Sequence, residues 1–315
     1  MIHAPHAYPM MPGPDYQSLI DAATWAFIRA TEAAYPADTA QRTIPDQRQI
    51  YDERCRTFHA GYPQGVTAQD GRLGGVMCRH YSCGRANTPA AEVLFFHGGG
   101  FVVGGLDSHD DICAEICAAT GMIVHAVDYR LCPEHPHPAA FDDCLAVAQA
   151  TPAPILLVGD SAGGTLAACV ASAMKTPRLL GQVLIYPGLG GRADSHLWHA
   201  RAPMLTSADV DYYSQIRGAA HDDAMAYPLQ AADFSGLPPT LAICAECDPL
   251  ADDARLYADR ITAAGGQAVA ITEPGLVHGY LRARHTVSRA RASFLRITST
   301  LAAFARRDWP FGDAS

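Results

Sequence analysis

Lysine is almost absent from this chain: among its 315 residues only Lys175 is a lysine, and arginine supplies the other basic side chains. The 32 acidic residues outnumber the 23 basic ones, and the formal net charge is −9. No dense run of Lys and Arg occurs. Because nucleic acids and anionic membranes attract clustered positive charge, this balance disfavours both as partners. We interpret the shortage of lysine itself as compositional bias.

A long apolar run is also absent. The chain has no stretch of roughly 18 consecutive apolar residues, the length that indicates a membrane-spanning helix. Its first residues, MIHAPHAYPMMPGPDYQ, lack the positively charged segment followed by an apolar one that a secretory signal requires. These two patterns predict a protein without a membrane partner and with a cytoplasmic location.

Cysteine is abundant, but the arrangement that a structural zinc site needs is absent. The ten cysteines are scattered along the chain. Cys113 and Cys117 form one close pair and Cys244 and Cys247 another, and each lacks a second pair to complete a tetrahedral site. We expect reduced, buried thiols and no bound metal.

What is present is an alternation of short apolar runs with helix-like segments. Strands are predicted at residues 76–81, 93–96, 122–127, 155–158, 183–186, 240–245 and 269–272, and helices at 107–119, 139–150, 162–175 and 252–264. Near-continuous apolar strands separated by helices are typical of a mainly parallel sheet that is covered on both faces. With 49% hydrophobic residues the chain can bury a sizeable core, so the pattern predicts an α/β fold.

Two regions depart from this alternation. Residues 1–48 carry apolar side chains at helical spacing, and residues 188–230 form a long insert that contains several aromatic residues. We predict that the two regions together form a helical cap over a core made of residues 49–187 and 231–315, because a long insert in a compact domain is usually functional. The alternative is that the N-terminal apolar stripe is ordinary core packing.

The segment ILLVGDSAGG places Ser161 in a G-x-S-x-G pattern directly after an apolar run. A nucleophilic serine needs a sharp turn from strand to helix, and glycines at positions 159 and 163 remove side chains that would collide there. The helix that follows directs its first free N–H groups, beginning with that of Ala162, toward the serine. The alternative for this pattern alone is an ordinary glycine-rich turn.

A second glycine-rich loop supports the catalytic interpretation. His97 and three glycines follow the apolar run at 93–96, which places the HGGG segment at another strand end. Bare backbone N–H groups in such a loop are what an oxyanion hole requires. His97 itself we interpret as a loop anchor and not as a base.

A serine nucleophile also needs a base and an orienting carboxylate, in the chain order Ser, Asp or Glu, His. Asp248 follows the predicted strand 240–245, and His278 lies in a glycine-flanked loop after the strand 269–272. Of the 14 histidines, only His278 combines this order, the loop and the neighbouring glycine. The sequence therefore predicts a triad of Ser161, His278 and Asp248.

These motifs together resemble the hormone-sensitive-lipase-like branch of α/β-hydrolase esterases. The resemblance covers roughly residues 75–305 and includes HGGG at 97–100, DYRLCPEHPHPAA at 128–140, GDSAGG at 159–164, DPL at 248–250 and HGY at 278–280. Departures are small: Tyr280 and His137 stand where the family often has Phe or another apolar residue. The first departure could alter the polarity of the pocket, and neither affects the chemistry.

The resemblance implies a central, mainly parallel sheet with helices on both faces and a helical cap. It also implies Ser161 as nucleophile, His278 as base, Asp248 as its orienter, and an oxyanion hole formed by the N–H groups of Gly98, Gly99 and Ala162. No cofactor and a small-molecule ester substrate are implied, together with a homodimer formed through an edge strand. The substrate-binding residues stay unknown.

The reaction predicted is two-step hydrolysis of short to medium acyl esters through an acyl-enzyme. One alternative is amide cleavage by the same triad, which nothing in the sequence excludes. The other is a ligand receptor without turnover, because related plant proteins keep this fold and serve as hormone receptors. Such receptors lack the working histidine, whereas His278 is present here with its glycine.

Overall fold

A computed structural model describes residues 13–36, 38–84, 91–191 and 194–312 of the chain. Its centre is a sheet of eight strands in the order β1-β2-β4-β3-β5-β6-β7-β8. The strands are β1 (Thr67–Leu73), β2 (Val76–Ser82), β3 (Glu92–Phe96), β4 (Val124–Val127), β5 (Ile155–Asp160), β6 (Leu179–Ile185), β7 (Thr240–Cys247) and β8 (Ala268–Val277).

The sheet is parallel from β4 to β8, and the hairpin of β1 and β2 joins its other end in antiparallel orientation. The central strands read as apolar runs, and every residue of β4, β5 and β6 is buried. This is the pattern of strands that are covered on both faces. The α/β fold with a mainly parallel sheet is therefore confirmed.

Ten α-helices are found in the part of the chain that the structure describes. They are α1 (Tyr16–Leu19), α2 (Ala22–Ala33), α3 (Ile44–Thr57), α4 (Asp110–Thr120), α5 (Ala139–Ala150), α6 (Ala162–Met174), α7 (Asp194–Trp198), α8 (Ser207–Arg217), α9 (Ala251–Ala263) and α10 (Ser288–Ala305). Short 3-10 turns occupy Thr39–Gln41, Pro228–Gln230 and Tyr280–Ala283.

The apolar core is divided by the sheet into two clusters. Helices α4 and α10 contribute to one cluster, which also includes Phe27 and Ile28 of α2. Helices α5, α6 and α9 contribute to the other. The N-terminal apolar stripe therefore does pack against the core, as the alternative interpretation held, although its neighbours also contact the insert.

The N-terminal helices and the insert meet through polar side chains. The hydroxyl of Tyr16 lies 3.1 Å from Nδ1 of His199, and Gln47 donates to the hydroxyl of Tyr212 at 3.3 Å. Helix α3 continues across the predicted boundary at residue 48. Residues 1–12, 37 and 192–193 of the predicted cap lie outside the described residues. The division into cap and core remains a prediction.

The sequence analysis missed several elements, among them helix α3, strand β1 and helix α10. Strand β1 has no apolar run, because it lies at the edge of the sheet and its residues are exposed or half-buried. Helix α10 carries buried Phe294, Ile297, Leu301 and Phe304, whose spacing is helical and could have been recognised. None of the helices within the described ranges is long and apolar enough to cross a membrane.

Candidate active site

Ser161 lies between β5 and α6 in a strained turn. Its backbone has φ 54° and ψ −121°, a conformation that residues with a side chain seldom adopt. A Cβ on Gly159 would overlap the carbonyl group of Gly163, and a Cβ on Gly163 would overlap that of Phe96. The two glycines are therefore required for the close packing of helix and strands that presents the serine.

Three predicted residues from three separate strand ends come together in one chain of hydrogen bonds. Nε2 of His278 lies 2.8 Å from Oγ of Ser161, and Nδ1 of His278 lies 2.6 Å from Oδ2 of Asp248. Since an ionised carboxylate only accepts, the proton of a neutral imidazole belongs on Nδ1. Nε2 is then left with a lone pair directed at the serine hydroxyl.

Asp248 is fully buried, and a second donor holds its carboxylate in place. The backbone N–H of Leu250 donates to Oδ1 at 2.9 Å, so one oxygen is anchored by the loop while the other faces the imidazole. The ring of Tyr186 packs against His278 with a centroid separation of 4.8 Å. The histidine is thus restrained by a hydrogen bond and by an aromatic contact, and the sequence analysis did not identify the second.

The glycine-rich loop differs in one donor from the predicted oxyanion hole. The N–H of Gly98 donates to Oδ1 of Asp160 at 2.9 Å, and this glycine is buried. This hydrogen bond removes Gly98 from the predicted set of oxyanion donors, because a backbone N–H has one proton and it points away from the serine. The prediction was made from three consecutive glycines, whose N–H directions a sequence does not reveal.

Gly99 and Gly100 are the next two residues of the glycine-rich loop. Both line the cavity that contains Ser161, and their N–H groups have no acceptor among the residues that the structure describes. Both have positive φ, 128° and 61°. The N–H of Ala162 also has no acceptor within the helix, because Ala162 is the first residue of α6. These three N–H groups can converge on a negatively charged oxygen.

Asp160 joins the serine turn to the glycine loop. Its buried carboxylate lies 3.1 Å from Nε2 of His109 and accepts from Gly98. Burial opposes its ionisation, but the attraction of His109, followed by that of Arg282 and the Gly98 hydrogen bond, lowers the pKa of Asp160 to about 2. Asp160 is therefore charged and fixes the loop relative to Ser161.

His97 serves as an anchor of the loop, as its position predicted. Its ring stacks on Tyr129 at 4.2 Å, and its Nδ1 donates to the carbonyl of Gly98 at 2.8 Å. Burial, followed by the neighbouring charge of His109, lowers the pKa of His97 to about 4. A neutral, buried ring with this contact stabilises the loop.

A cavity of about 1040 Å³ opens above Ser161 and His278. Residues of the N-terminal helices and of the insert supply most of its outer wall, including Tyr35, Tyr51 and Tyr213. A pocket of this size exceeds what an acetyl or butyryl ester fills. The sequence-predicted departure at Tyr280 does not affect the wall, since this residue is buried and its hydroxyl lies 2.7 Å from Oγ of Ser293.

Two charged residues of the motif at 128–140 have structural contacts. Arg130 binds the carboxylate of Asp143, and Glu134 binds Arg48 of α3. All ten cysteines are free thiols, and nine of them are buried. Within the described residues no group of three or more His, Cys, Asp or Glu side chains is placed to hold a metal ion.

Comparison with known proteins adds an independent observation. A family model described as the alpha/beta hydrolase fold matches residues 93–282. Carboxylesterase NlhH of Mycobacterium tuberculosis (strain ATCC 25618 / H37Rv) is 37% identical over 218 residues, which cover 62% of this chain and 68% of that protein. Ethyl acetate hydrolase of Pseudomonas putida is 34% identical over 230 residues, covering 67% of this chain and 72% of that protein.

A solved structure shows the same architecture. The hyperthermophilic esterase from the archaeon Pyrobaculum calidifontis superposes with a TM-score of 0.83 at 27% sequence identity. The superposition covers 91% of this chain and 99% of that one. The likeness therefore includes nearly all of that chain and extends beyond the residues that the family model matches.

Proposed function

The chain belongs to the hormone-sensitive-lipase-like carboxylesterases of the α/β-hydrolase superfamily, and from this membership we propose that it is a serine esterase with Ser161 as its nucleophile. His278 is its base and Asp248 orients the base. The observation that carries this proposal is the continuous pair of hydrogen bonds from Ser161 through His278 to Asp248, 2.8 and 2.6 Å long.

The reaction proceeds in two acyl transfers. Oγ of Ser161 attacks the ester carbonyl carbon while Nε2 of His278 takes the hydroxyl proton. The tetrahedral intermediate collapses, the bond to the alcohol oxygen breaks, and His278 returns the proton to the leaving alcohol. Water then attacks the acyl-enzyme with His278 again as base, and the carboxylic acid leaves. Asp248 keeps the imidazole in one tautomer and offsets its transient charge.

The negative charge of each tetrahedral intermediate is bound by the N–H groups of Gly99, Gly100 and Ala162. Losing one such donor typically lowers kcat about 10²- to 10³-fold. We include Gly100 in place of Gly98 because the latter already donates to Asp160. The rigidity of the loop ensures that these donors need not reorganise when charge develops.

The proposed substrates are short to medium acyl esters in soluble form. The aromatic wall around the serine favours an apolar acyl group, and the cavity of about 1040 Å³ leaves room for a larger alcohol part. Turnover of acetyl, butyryl, octanoyl and palmitoyl esters measures the acyl preference. Fastest hydrolysis of the palmitoyl ester would contradict it.

The decisive experiment is hydrolysis of p-nitrophenyl butyrate by the wild type, Ser161→Ala and His278→Ala. We expect turnover by the wild type and a drop to background in both variants. Ser235→Ala and His135→Ala, two exposed positions outside the cavity, are matched controls and keep wild-type activity.

The same experiment separates the alternatives. An inert wild type at every pH would favour the receptor, because the fold would then bind without turnover. Parallel assays with the p-nitroanilide of butyric acid measure amide cleavage. We expect the ester to react faster, since its alkoxide leaves without prior protonation more readily than an amine does.

A further inference from the structure

Three arginines line the cavity, and two of them already have contacts with the protein. Arg282 donates to the carbonyl of Ser108 and to the hydroxyl of Tyr51. Arg217 donates through Nη1 to the carbonyl of Ala226, and its Nη2 is buried without an acceptor. Each of these two guanidinium groups is therefore tied to the protein by at least one hydrogen bond.

The third, Arg54 of α3, is different. Its guanidinium carbon lies 4.6 Å from the ring centroid of Tyr51 and 5.1 Å from that of Tyr35. Within the described residues it forms no hydrogen bond and no ion pair, and its Nε is buried without an acceptor. A guanidinium is permanently charged and has donors only, so a half-buried one without an acceptor is incompletely satisfied.

The two aromatic rings hold this cation in a fixed orientation. Stacking on tyrosine faces is favourable for a guanidinium and leaves its in-plane N–H groups available. Arg54 is therefore preorganised, and an oxygen acceptor from the cavity would not have to displace a protein partner. A carboxylate matches this geometry, because its two oxygens can accept two parallel N–H groups.

Arg54 lines the same cavity as Ser161 and His278. The ring of Tyr213 covers Gly100 so closely that a Cβ on this glycine would overlap it. Burial raises the pKa of Tyr213, and the positive charge of Arg54 opposes this rise. Tyr213, Gly100 and Ser161 line the same cavity as Arg54. An ester bound at Ser161 therefore shares this cavity with the guanidinium.

Acidic side chains share the cavity and limit the charge of the ligand. Glu32 and Asp209 belong to its lining. The carboxylate of Asp209 accepts hydrogen bonds from the backbone N–H and the hydroxyl of Thr206, the residue that precedes α8. It is therefore already hydrogen-bonded within the N-terminal capping box of this helix. No carboxylate in the described part of the chain lies within ion-pair distance of Arg54. A single carboxylate on the ligand is favoured over a doubly charged group.

We propose that Arg54 binds a free carboxylate of the substrate, so that the preferred esters carry one carboxylate at the end distal to the scissile bond. This inference rests on the proposed serine esterase function and names its substrate class. Half-esters of dicarboxylic acids place the carboxylate on the acyl part, and esters of hydroxy acids place it on the alcohol part.

The test compares charged and neutral esters of similar length. Monomethyl adipate is compared with methyl hexanoate, and 4-(butyryloxy)butanoate with propyl butyrate, by acid release at constant pH. We expect a lower KM for the charged member of at least one pair. In Arg54→Gln the ratio of kcat/KM between charged and neutral ester falls about 10- to 100-fold, because a charge-assisted hydrogen bond is lost.

Two further variants separate the effect of the Arg54 guanidinium from that of its charge and from that of helix α3. Arg54→Lys keeps the charge and loses the planar fork, so it retains part of the preference. Arg56→Gln removes an exposed arginine of the same helix outside the cavity and keeps the wild-type ratio. Should Arg54→Gln not fold, the wild type still provides a test: added salt raises KM for the charged ester more than for the neutral one.

Failure of the carboxylate site can be distinguished from failure of the proposed esterase function. A wild type that does not hydrolyse p-nitrophenyl butyrate would overturn both. Hydrolysis of p-nitrophenyl butyrate together with an equal loss on both esters in Arg54→Gln would overturn only the carboxylate site. In that case the stacked guanidinium serves to hold α3 against the tyrosines.

Discussion

At the scale of single residues, the site combines three groups for the chemistry with one charged residue that orders them. Asp160 accepts the N–H of Gly98 and pairs with His109. Its charge thereby links the loop of the oxyanion donors to the turn of the nucleophile. A substitution at this position tests the positions of the donors without removing any of them.

We expect Asp160→Asn to lower kcat about 10- to 100-fold with little change in KM. The amide can still accept from Gly98, but its NH₂ group opposes the N–H of His109, so the loop shifts away from the position that binds the oxyanion. Asp222→Asn, an exposed control, keeps the wild-type kcat. An increase in KM at constant kcat would show that Asp160 acts on substrate binding instead.

The pH dependence of kcat/KM reports the base. His278 must be neutral to take the proton of Ser161, so activity falls on the acid side as the imidazole becomes protonated. The assay is run over the pH range in which circular dichroism shows the folded protein. A profile that stays flat down to about pH 4 would exclude histidine as the base.

At the scale of the elements, the strands bring the reacting groups together and the outer helices enclose them. Ser161, Asp248 and His278 directly follow β5, β7 and β8, whose carboxyl ends lie at one edge of the sheet. Residues of the N-terminal helices and of the insert line the cavity at this edge, and the two segments contact each other. Their contacts therefore influence both stability and access to the cavity.

Tyr16→Phe is expected to lower the free energy of unfolding by about 1 kcal/mol, because it removes the hydrogen bond between the N-terminal segment and His199. Chemical denaturation measures the change. Tyr213→Phe is a matched control, since its hydroxyl forms no hydrogen bond with the residues that the structure describes. Equal effects of both substitutions would indicate that the Tyr16 contact contributes nothing to stability.

At the scale of the whole molecule, burial keeps several histidines neutral. Burial is the largest cause that lowers the pKa of His80, His97, His137 and His199. In the unfolded chain these groups titrate near their ordinary pKa of about 6.5. The unfolded state therefore binds more protons than the folded state below this pH, and folding stability declines as the pH falls.

Thermal unfolding between pH 7 and pH 5 tests whether folding stability declines as the pH falls. The stability contributed by each neutral histidine is present above about pH 6.5 and is lost as the pH falls toward the folded pKa, which is about 4 for His97. Asp52, Asp128 and Asp253 have the opposite sign, because burial raises the pKa of each carboxyl, that of Asp253 to about 6. The four histidines outnumber these three carboxyls, so we expect Tm to decrease on acidification; a constant or rising Tm would refute the prediction.

A homodimer is a further prediction at this scale, and it comes from the family resemblance. Strand β8 lies at an edge of the sheet, where unpaired backbone groups can join a second strand. Light scattering should give twice the mass of the chain at micromolar concentration. A monomer at every concentration would remove the prediction.

Most of the sheet could be predicted because its strands are apolar runs bounded by turns. Strand β1 could not, since an exposed edge strand needs no apolar residues. Among the site residues, Ser161, Asp248 and His278 each follow a recognisable strand, so short-range patterns identify them. Gly98 was assigned wrongly as an oxyanion donor because its acceptor, Asp160, comes from another strand.

The sequence by itself determined the chain order of Ser161, Asp248 and His278, the alternation that makes a parallel sheet, and the family. These properties depend on residue types and local spacing, which folding does not change. Only the tertiary structure decided which N–H groups of the HGGG loop are free, and that Arg54 lies stacked and unpaired in the cavity. Both depend on which distant partners occupy each donor, and long-range contacts of this kind leave no periodic pattern in the chain.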